Sequence, residues 1–231
     1  MDNFVIEKVL KEYKRLEEQH TDDAVTWIDM QEDEIWIQIC FCILSSNVRF
    51  EMAYSATRHL MDCGLIERRR LTLLPEVSIS QIACELSKPY YLPLRKDGTR
   101  RRYRFPNSRA DHIIQTALHL QGTQITDVLH HCETDYQARE FLARRIHGMG
   151  LKESSMFLRN IRYSNGLAVI DFHVLHFLKK SGLIGHSNYR IQERKTYLYL
   201  ETLLRNFALD KRLDMSILDL AIWKSVREGY V

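Results

Sequence analysis

The sequence has no Cys-x-x-Cys pair, no long apolar run and little proline, and each shortage removes a class of protein. Five cysteines occur, Cys40, Cys42, Cys63, Cys84 and Cys132. An odd, scattered set supports neither a disulfide framework nor a zinc ribbon nor an iron–sulfur cluster. Cys40 and Cys42 stand two apart on an expected helix and so face different ways, and the set reads as buried, reduced thiols. The longest apolar stretch, Ile35–Leu44, is far shorter than the roughly 20 residues of a membrane span and reads as a buried helix. Met1 is followed by acidic, amphipathic sequence rather than a signal peptide, so a cytoplasmic protein without membrane association is expected. Of only four prolines, Pro89, Pro93 and Pro106 fall between expected helices. Alternating polar–apolar runs, the mark of half-buried strands, are missing.

What is present is charge, unevenly placed. Residues 1–35 hold eleven acidic and four basic residues, while the whole chain is net +3, so the remainder is about +10. A remainder of that sign attracts polyanions, although a solvated surface would carry it as well. A mean hydropathy of -0.31 fits a chain with a normal core.

Nearly everything reads at helical period. Asn3–Gln19 carries Phe4, Val5, Val9, Leu10, Tyr13 and Leu16 as one stripe. Ile35–Ser46 is apolar all round, as for a central helix. Further helices are expected over Phe50–Met61, Ser80–Leu86, Arg109–Leu120, Tyr136–His147, Leu151–Ile161, Phe172–Lys180, Arg190–Phe207 and Ser216–Arg227. The fold class is therefore all-α, a bundle of about ten helices. Trp27 and Trp36 read as packing residues. Between Ser87 and Ser108 lies an irregular segment with Lys88, Arg95, Lys96, Arg100, Arg101, Arg102 and Arg104, interleaved with Tyr90, Tyr91, Tyr103 and Phe105. Basic residues among aromatics suit phosphate contact and base stacking, or else a solvated loop.

The run His147-Gly148-Met149-Gly150-Leu151-Lys152 is the most informative feature. Two helices, Tyr136–His147 and Leu151–Ile161, flank a Gly-x-Gly turn, giving a helix–hairpin–helix over 136–161. Such a turn presents backbone N–H groups at a helix N-terminus, an anion site suited to DNA phosphate and indifferent to sequence. Met149 is the expected apolar plug between the helices. Lys152 lies in the first turn of its helix, where the dipole disfavours a cation and favours a nucleophilic amine. Asp171, 19 positions on, stands before Phe172–Lys180. Aspartate is among the best N-caps, and the same carboxylate can stabilise a cationic sugar. His173 and His176 are three apart without a Cys or acidic partner at useful spacing, so no metal site is expected. Arg49 is open to two readings, a phosphate or opposite-base contact and a solvated arginine.

The stretch HGMGLKESSMFLRNIRYSNGLAVIDFHVLHFL resembles the signature of the helix–hairpin–helix DNA glycosylase superfamily. It is most similar to the archaeal-type 8-oxoguanine DNA glycosylase/AP lyases, whose pattern is G-[IL]-G-x-K-E-A-S-H-F-L-R-N followed by an I-D-R-H block. FCILSSN at 41–47, RYRFPNSRADHII at 102–114 and ILDLAIW at 217–223 resemble the same family. The resemblance implies one glycosylase unit over 1–231, made of two intimate helical lobes. It makes Lys152 the Schiff-base nucleophile and Asp171 the catalytic carboxylate. It puts Asn47 near the void left by a flipped nucleotide, and Asp219 and Trp223 at the base pocket beside Phe172. Gly148, Met149, Gly150, Arg49, Arg101, Arg102 and Arg104 are the expected DNA contacts. The implied partner is double-stranded DNA containing a modified base, bound by a monomer on the nucleoid of a prokaryote. A lysine-based lyase needs neither metal nor organic cofactor.

Three departures bear on substrate. The family typically closes with a lysine soon after the tryptophan, whereas this chain runs Arg227-Glu228-Gly229-Tyr230-Val231. Phe172 stands where the family has Arg, and the 87–108 segment carries extra arginines. Abundant His, Gln, Cys and Met suggest a mesophile. The main expectation is excision of 8-oxoguanine with β-elimination. One alternative is the same chemistry on another modified base, such as a hypermodified phage base in antiviral defence. Another is a non-catalytic DNA-binding module, which the Lys152 and Asp171 pair disfavours.

Overall fold

The computed structural model describes residues 2–19 and 25–231. Among them the chain forms twelve α-helices and no strand, and its one extended pairing is an isolated bridge between Tyr91 and Arg101. The all-α expectation holds, with two helices beyond the expected ten. No helix among the described residues is long and apolar enough to cross a membrane. The chain divides into two compact units, Trp27–Ile161 on one side and Met1–Thr26 with Arg162–Val231 on the other.

The unit of 27–161 is built around α2 (Glu32–Ser45), whose Ile35, Trp36, Ile39, Cys40, Cys42, Ile43 and Leu44 are all buried. α3 (Phe50–Asp62), α6 (Pro106–His119), α7 (Ile125–His130) and α9 (Leu151–Asn160) pack against it. α4 (Arg68–Leu73) and α5 (Pro75–Ser87) lie on α6, and α8 (Asp135–Arg145) lies on α9. Glu32 joins three of these elements: its carboxylate accepts from Ile125 N at 2.7 Å and Thr126 N at 3.2 Å, and pairs with Arg68 at 3.2 Å. It thereby places negative charge at the N-termini of both α2 and α7, where helix dipoles favour it. Trp36 is core as expected, its indole N–H donating to Ile66 O at 2.6 Å.

Several expectations need correction. α4 and α7 have six residues each, too few for a 3.6-residue period to show. Pro106 does not lie between helices; it opens α6, and Pro75 likewise opens α5, because the first helical turn needs no N–H there. The irregular stretch is thus shorter than 87–108, and it is anchored. Tyr91 and Tyr103 are buried, their hydroxyls donating to Glu85 O at 2.6 Å and Leu44 O at 2.5 Å. Neither is available to stack on a base, whereas Tyr90 remains 42% exposed. The cysteines also divide. Cys40 and Cys42 are buried and burial raises both thiols, but Cys63 and Cys84 are exposed. Cys63 is the C-cap of α3, and Ser78, Ile82 and Leu86 supply the buried residues of α5.

The other unit contains α1 (Asn3–Gln19), α10 (Phe172–Lys180), α11 (Arg194–Lys211) and α12 (Met215–Arg227), with α12 packed on the other three. α1 buries Val5, Val9 and Tyr13, but Phe4, expected in the stripe, is 63% exposed. Glu12 meets Lys224 at 3.1 Å, and Tyr13 OH accepts from Asp214 N at 2.9 Å, fixing α1 to α12. The segment Leu167-Ala168-Val169-Ile170 is buried without helix or sheet to satisfy its backbone. Side chains do so instead. Ala168 N donates to Glu201 at 3.3 Å, Val169 N to Asp219 at 3.0 Å and Ile170 N to Tyr197 OH at 3.3 Å. Tyr197 OH in turn donates to Ala168 O at 2.9 Å. Unmet, each buried N–H would cost about 1–3 kcal/mol, so α11 and α12 dictate the path on which the chain arrives at Asp171.

Candidate active site

The hairpin forms as the sequence suggests, between α8 and α9. Gly148 adopts φ +79, and a Cβ there would fall on the His112 imidazole, 3.0 Å from Cγ. Both conformation and space therefore demand glycine. Met149 is only 5% exposed, as the expected plug must be. Thr116 of α6 steadies the turn by accepting from His147 N at 3.0 Å. Across the motif the buried Arg139 of α8 donates to Ser155 of α9 at 3.3 Å. The expected row of open N–H donors is partly closed, since Met149 N donates to Ile146 O at 3.3 Å and Gly150 N to Glu153 Oε2 at 3.2 Å. Arg144, Arg145 and His147, just before the hairpin in the chain, are exposed. His147 Nε2 lies 3.2 Å from His119 Nδ1.

Lys152 is the second residue of α9, its side chain 28% exposed and its Nζ 3.2 Å from Glu153 Oε1. Against the helix dipole, which favours a free amine, this carboxylate holds the Lys152 side chain in an ion pair. Glu153 is the functional residue that the sequence reading missed. It caps α9 through Gly150 N with one oxygen and holds Lys152 with the other. Burial alone would raise its carboxyl, but Lys152, its own N–H and that of Gly150 outweigh burial and hold it below the ordinary value. The G-x-x-E spacing, half of a capping box, was the available signal. Beneath α9, burial and the Glu153 charge keep the Cys42 thiol protonated, so Cys42 is no rival nucleophile.

Asp171 is the N-cap of α10. Its Oδ1 accepts from His173 N at 2.8 Å and Val174 N at 3.0 Å, while its Oδ2 meets His173 Nδ1 at 3.0 Å. The carboxylate is thus oriented through both oxygens, at the positive end of a helix. Trp223 of α12, half-buried, brings its ring edge-on to His173, with centroids 6.3 Å apart, and Arg227 covers its face at 4.8 Å. Phe172 is 67% exposed beside His173 and His176. Asp219, expected to line a base pocket, is 2% exposed and accepts from Val169 N at 3.0 Å. In this structure it positions the segment that leads to Asp171.

The remaining predicted residues lie in the unit of Lys152. Asn47 is exposed at φ +60 in the turn after α2, and Arg49 is the exposed N-cap of α3. The buried Arg109 ties that turn to α6 by donating to Ser46 O at 3.0 Å. Arg102 is exposed, and Arg104 is exposed over the Phe105 ring at 4.9 Å. Arg101 is engaged within its own segment, its Nε donating to Pro93 O at 2.7 Å. Asp171, Phe172, Asp219 and Trp223 belong to the other unit.

A family model described as 8-oxoguanine DNA glycosylase matches residues 6–213. The 8-oxoguanine DNA glycosylase/AP lyase of Sulfurisphaera tokodaii is 35% identical over 196 residues, 83% of this chain and 82% of that protein. Its counterpart in Sulfolobus acidocaldarius is 31% identical over 194 residues, 83% and 82% of the two chains. Among solved structures, the Methanocaldococcus jannaschii 8-oxoguanine glycosylase/lyase in complex with a 15mer DNA containing 8-oxoguanine matches with a TM-score of 0.65. That match has 26% identity and covers 98% of this chain and 90% of that one. The 8-oxoguanine DNA glycosylase of Thermotoga maritima gives 0.61 at 29% identity, covering 95% and 86%.

Proposed function

Because the chain belongs to the 8-oxoguanine DNA glycosylase family, we propose that it excises 8-oxoguanine from duplex DNA and then cleaves the abasic strand, with Lys152 as nucleophile and Asp171 as the acidic partner. The observation that carries this reading is the Asp171 carboxylate held by two backbone N–H groups and His173, together with a lysine in the first turn behind a glycine hairpin.

The damaged nucleotide first leaves the stack, which costs a few kcal/mol and least at a damaged pair. Lys152 passes its proton to a base and attacks the anomeric carbon. The bond from sugar to base breaks, and the base leaves with a proton. The sugar ring opens to a Schiff base on Nζ. Loss of a proton from the neighbouring sugar carbon then expels the 3′ phosphate. Asp171 stabilises positive charge on the sugar as the base departs and serves as the acceptor for the amine proton. Trp223 offers the flipped base an aromatic face; stacking requires the base to take the face away from Arg227 or to move that guanidinium aside. Arg102, Arg104, Arg144, Arg145 and the hairpin grip phosphates, so affinity falls steeply with salt. The protein acts as a monomer on chromosomal DNA in the cytoplasm.

Phe172, 67% exposed at the mouth of α10, where the family carries Arg, favours a second reading in which the excised base is another modified one. Incubation with duplexes carrying a panel of modified bases, and with phage genomes, followed by mass spectrometry of released bases, decides between them. Release of 8-oxoguanine supports the first reading. Release of a different base with 8-oxoguanine untouched replaces it.

A further inference from the structure

On the unit of 27–161, three side chains from two helices converge without serving the hairpin or Lys152. His59 lies in the last turn of α3, Cys63 is its C-cap residue four positions later, and Glu85 comes from α5. His59 Nε2 is 3.0 Å from Glu85 Oε2 and 3.8 Å from Cys63 Sγ, and one donor atom from each residue lies within 4.8 Å of the others. A tetrahedral zinc ion, with bonds of about 2.0–2.1 Å to nitrogen and oxygen and about 2.3 Å to sulfur, needs N···O near 3.3 Å and N···S near 3.6 Å. The two spacings made by His59 differ from those by about 0.2–0.3 Å, and Cys63 and Glu85, within 4.8 Å of each other, close on the ion by side-chain rotation. Residues four apart share a helix face, so His59 and Cys63 can bind together.

We infer that His59, Cys63 and Glu85 form a site for one zinc-class divalent ion, clipping the C-terminal end of α3 to α5, with water in the fourth position.

The donors match that metal: a thiolate, an imidazole and a carboxylate suit a borderline-soft ion, and a cation bound mainly by oxygen would leave the sulfur unused. The carboxylate is prepared for the role. Lys88 Nζ lies 2.5 Å from its other oxygen. Such an outer contact orients a ligand in the manner of established metal sites. The position also has a structural use. The His59 ring lies 5.1 Å from that of Tyr90 and 5.8 Å from that of Tyr91, both at the root of the arginine-rich segment. An ion there would stiffen the base from which Arg102 and Arg104 project. Binding converts the Cys63 thiol to a thiolate and releases its proton, with no redox change.

The test uses the full chain, stripped with chelator and kept reduced, titrated with Zn²⁺ and with Co²⁺. One equivalent of Zn²⁺ should bind and raise the melting temperature. Co²⁺ should give the visible bands of a tetrahedral centre with a sulfur-to-cobalt charge-transfer band. Cys63→Ser should abolish that band and weaken Zn²⁺ binding at least tenfold, while Cys84→Ser, at the other exposed thiol, leaves both intact. His59→Gln, with its melting curve measured in parallel, should weaken binding without unfolding the chain. A charge-transfer band that survives in Cys63→Ser would overturn the assignment. So would equal Zn²⁺ affinity in Cys63→Ser and the parent chain.

Discussion

Asp171→Asn separates the two roles that one carboxylate carries. As an N-cap, Asp171 supplies acceptors to His173 N at 2.8 Å and Val174 N at 3.0 Å. Asparagine caps about as well as aspartate, so the stability change should stay within about 0.5 kcal/mol, whereas alanine should cost about 0.5–2 kcal/mol. As an electrostatic partner the side chain loses its whole charge. Removing one stabilising group from a developing charge slows a reaction by about 10²–10³-fold, or roughly 2.7–4 kcal/mol. Three assays on one preparation read this out: chemical denaturation for stability, fluorescence anisotropy on an 8-oxoguanine duplex for affinity, and single-turnover base release for chemistry. The expected pattern is unchanged stability, affinity within a few-fold, and excision at least a hundredfold slower. Excision above a tenth of the parent rate would refute the catalytic role. A stability loss beyond about 2 kcal/mol would show that the cap was the larger part.

Other consequences are equally specific. Met149→Ala removes a plug only 5% exposed and should cost about 2–5 kcal/mol in denaturation experiments; a loss below 1 kcal/mol would show that the α8–α9 seam does not depend on it. Burial, then the Arg109 charge, lowers the His112 pKa from its ordinary 6.5. The unfolded chain therefore takes up the proton first as pH falls. The contribution of His112 is full above about pH 6.5 and declines as pH drops toward its folded value. His112→Gln should flatten stability between pH 7.5 and 5.5, and an unchanged slope would rule the histidine out. Glu153, held below its ordinary 4.5, contributes stability above that value that is lost as pH falls through the folded one. Glu153→Gln keeps an N3 acceptor for Gly150 N but loses the charge, so it should lower the melting temperature throughout the range above about pH 4.5 and converge on the parent at lower pH; equal melting at neutral pH would rule the charge out.

What the sequence made legible was local. A helix such as α2, apolar on every side, announces its burial, and glycine-flanked Met149 announces a turn with a plug. Asp171 before an apolar helix announces a cap. What stayed hidden needed a partner distant in the chain. Tyr197, Glu201 and Asp219 satisfy the 167–170 backbone from 27 to 50 positions away, and no periodicity reports that. Tyr91 and Tyr103 carry the composition of a base-stacking surface but are held in the core by hydroxyl donation to Glu85 O and Leu44 O. Glu153 lay in plain view within the matched motif, yet its double duty depends on which way each oxygen points. α11 begins four residues later than its stripe suggested, at Arg194, because a polar turn continues the helical pattern without continuing the helix.

The central claim is that Lys152 forms a covalent bond to the sugar. Borohydride reduction during incubation with an 8-oxoguanine or abasic duplex tests it most directly, by trapping the Schiff base as a stable adduct visible on a denaturing gel. The account predicts one adduct per active chain, its cross-linked peptide containing Lys152, and no adduct from Lys152→Gln in spite of retained DNA binding. An adduct of normal yield from Lys152→Gln, or none from the parent chain on any abasic DNA, would contradict it.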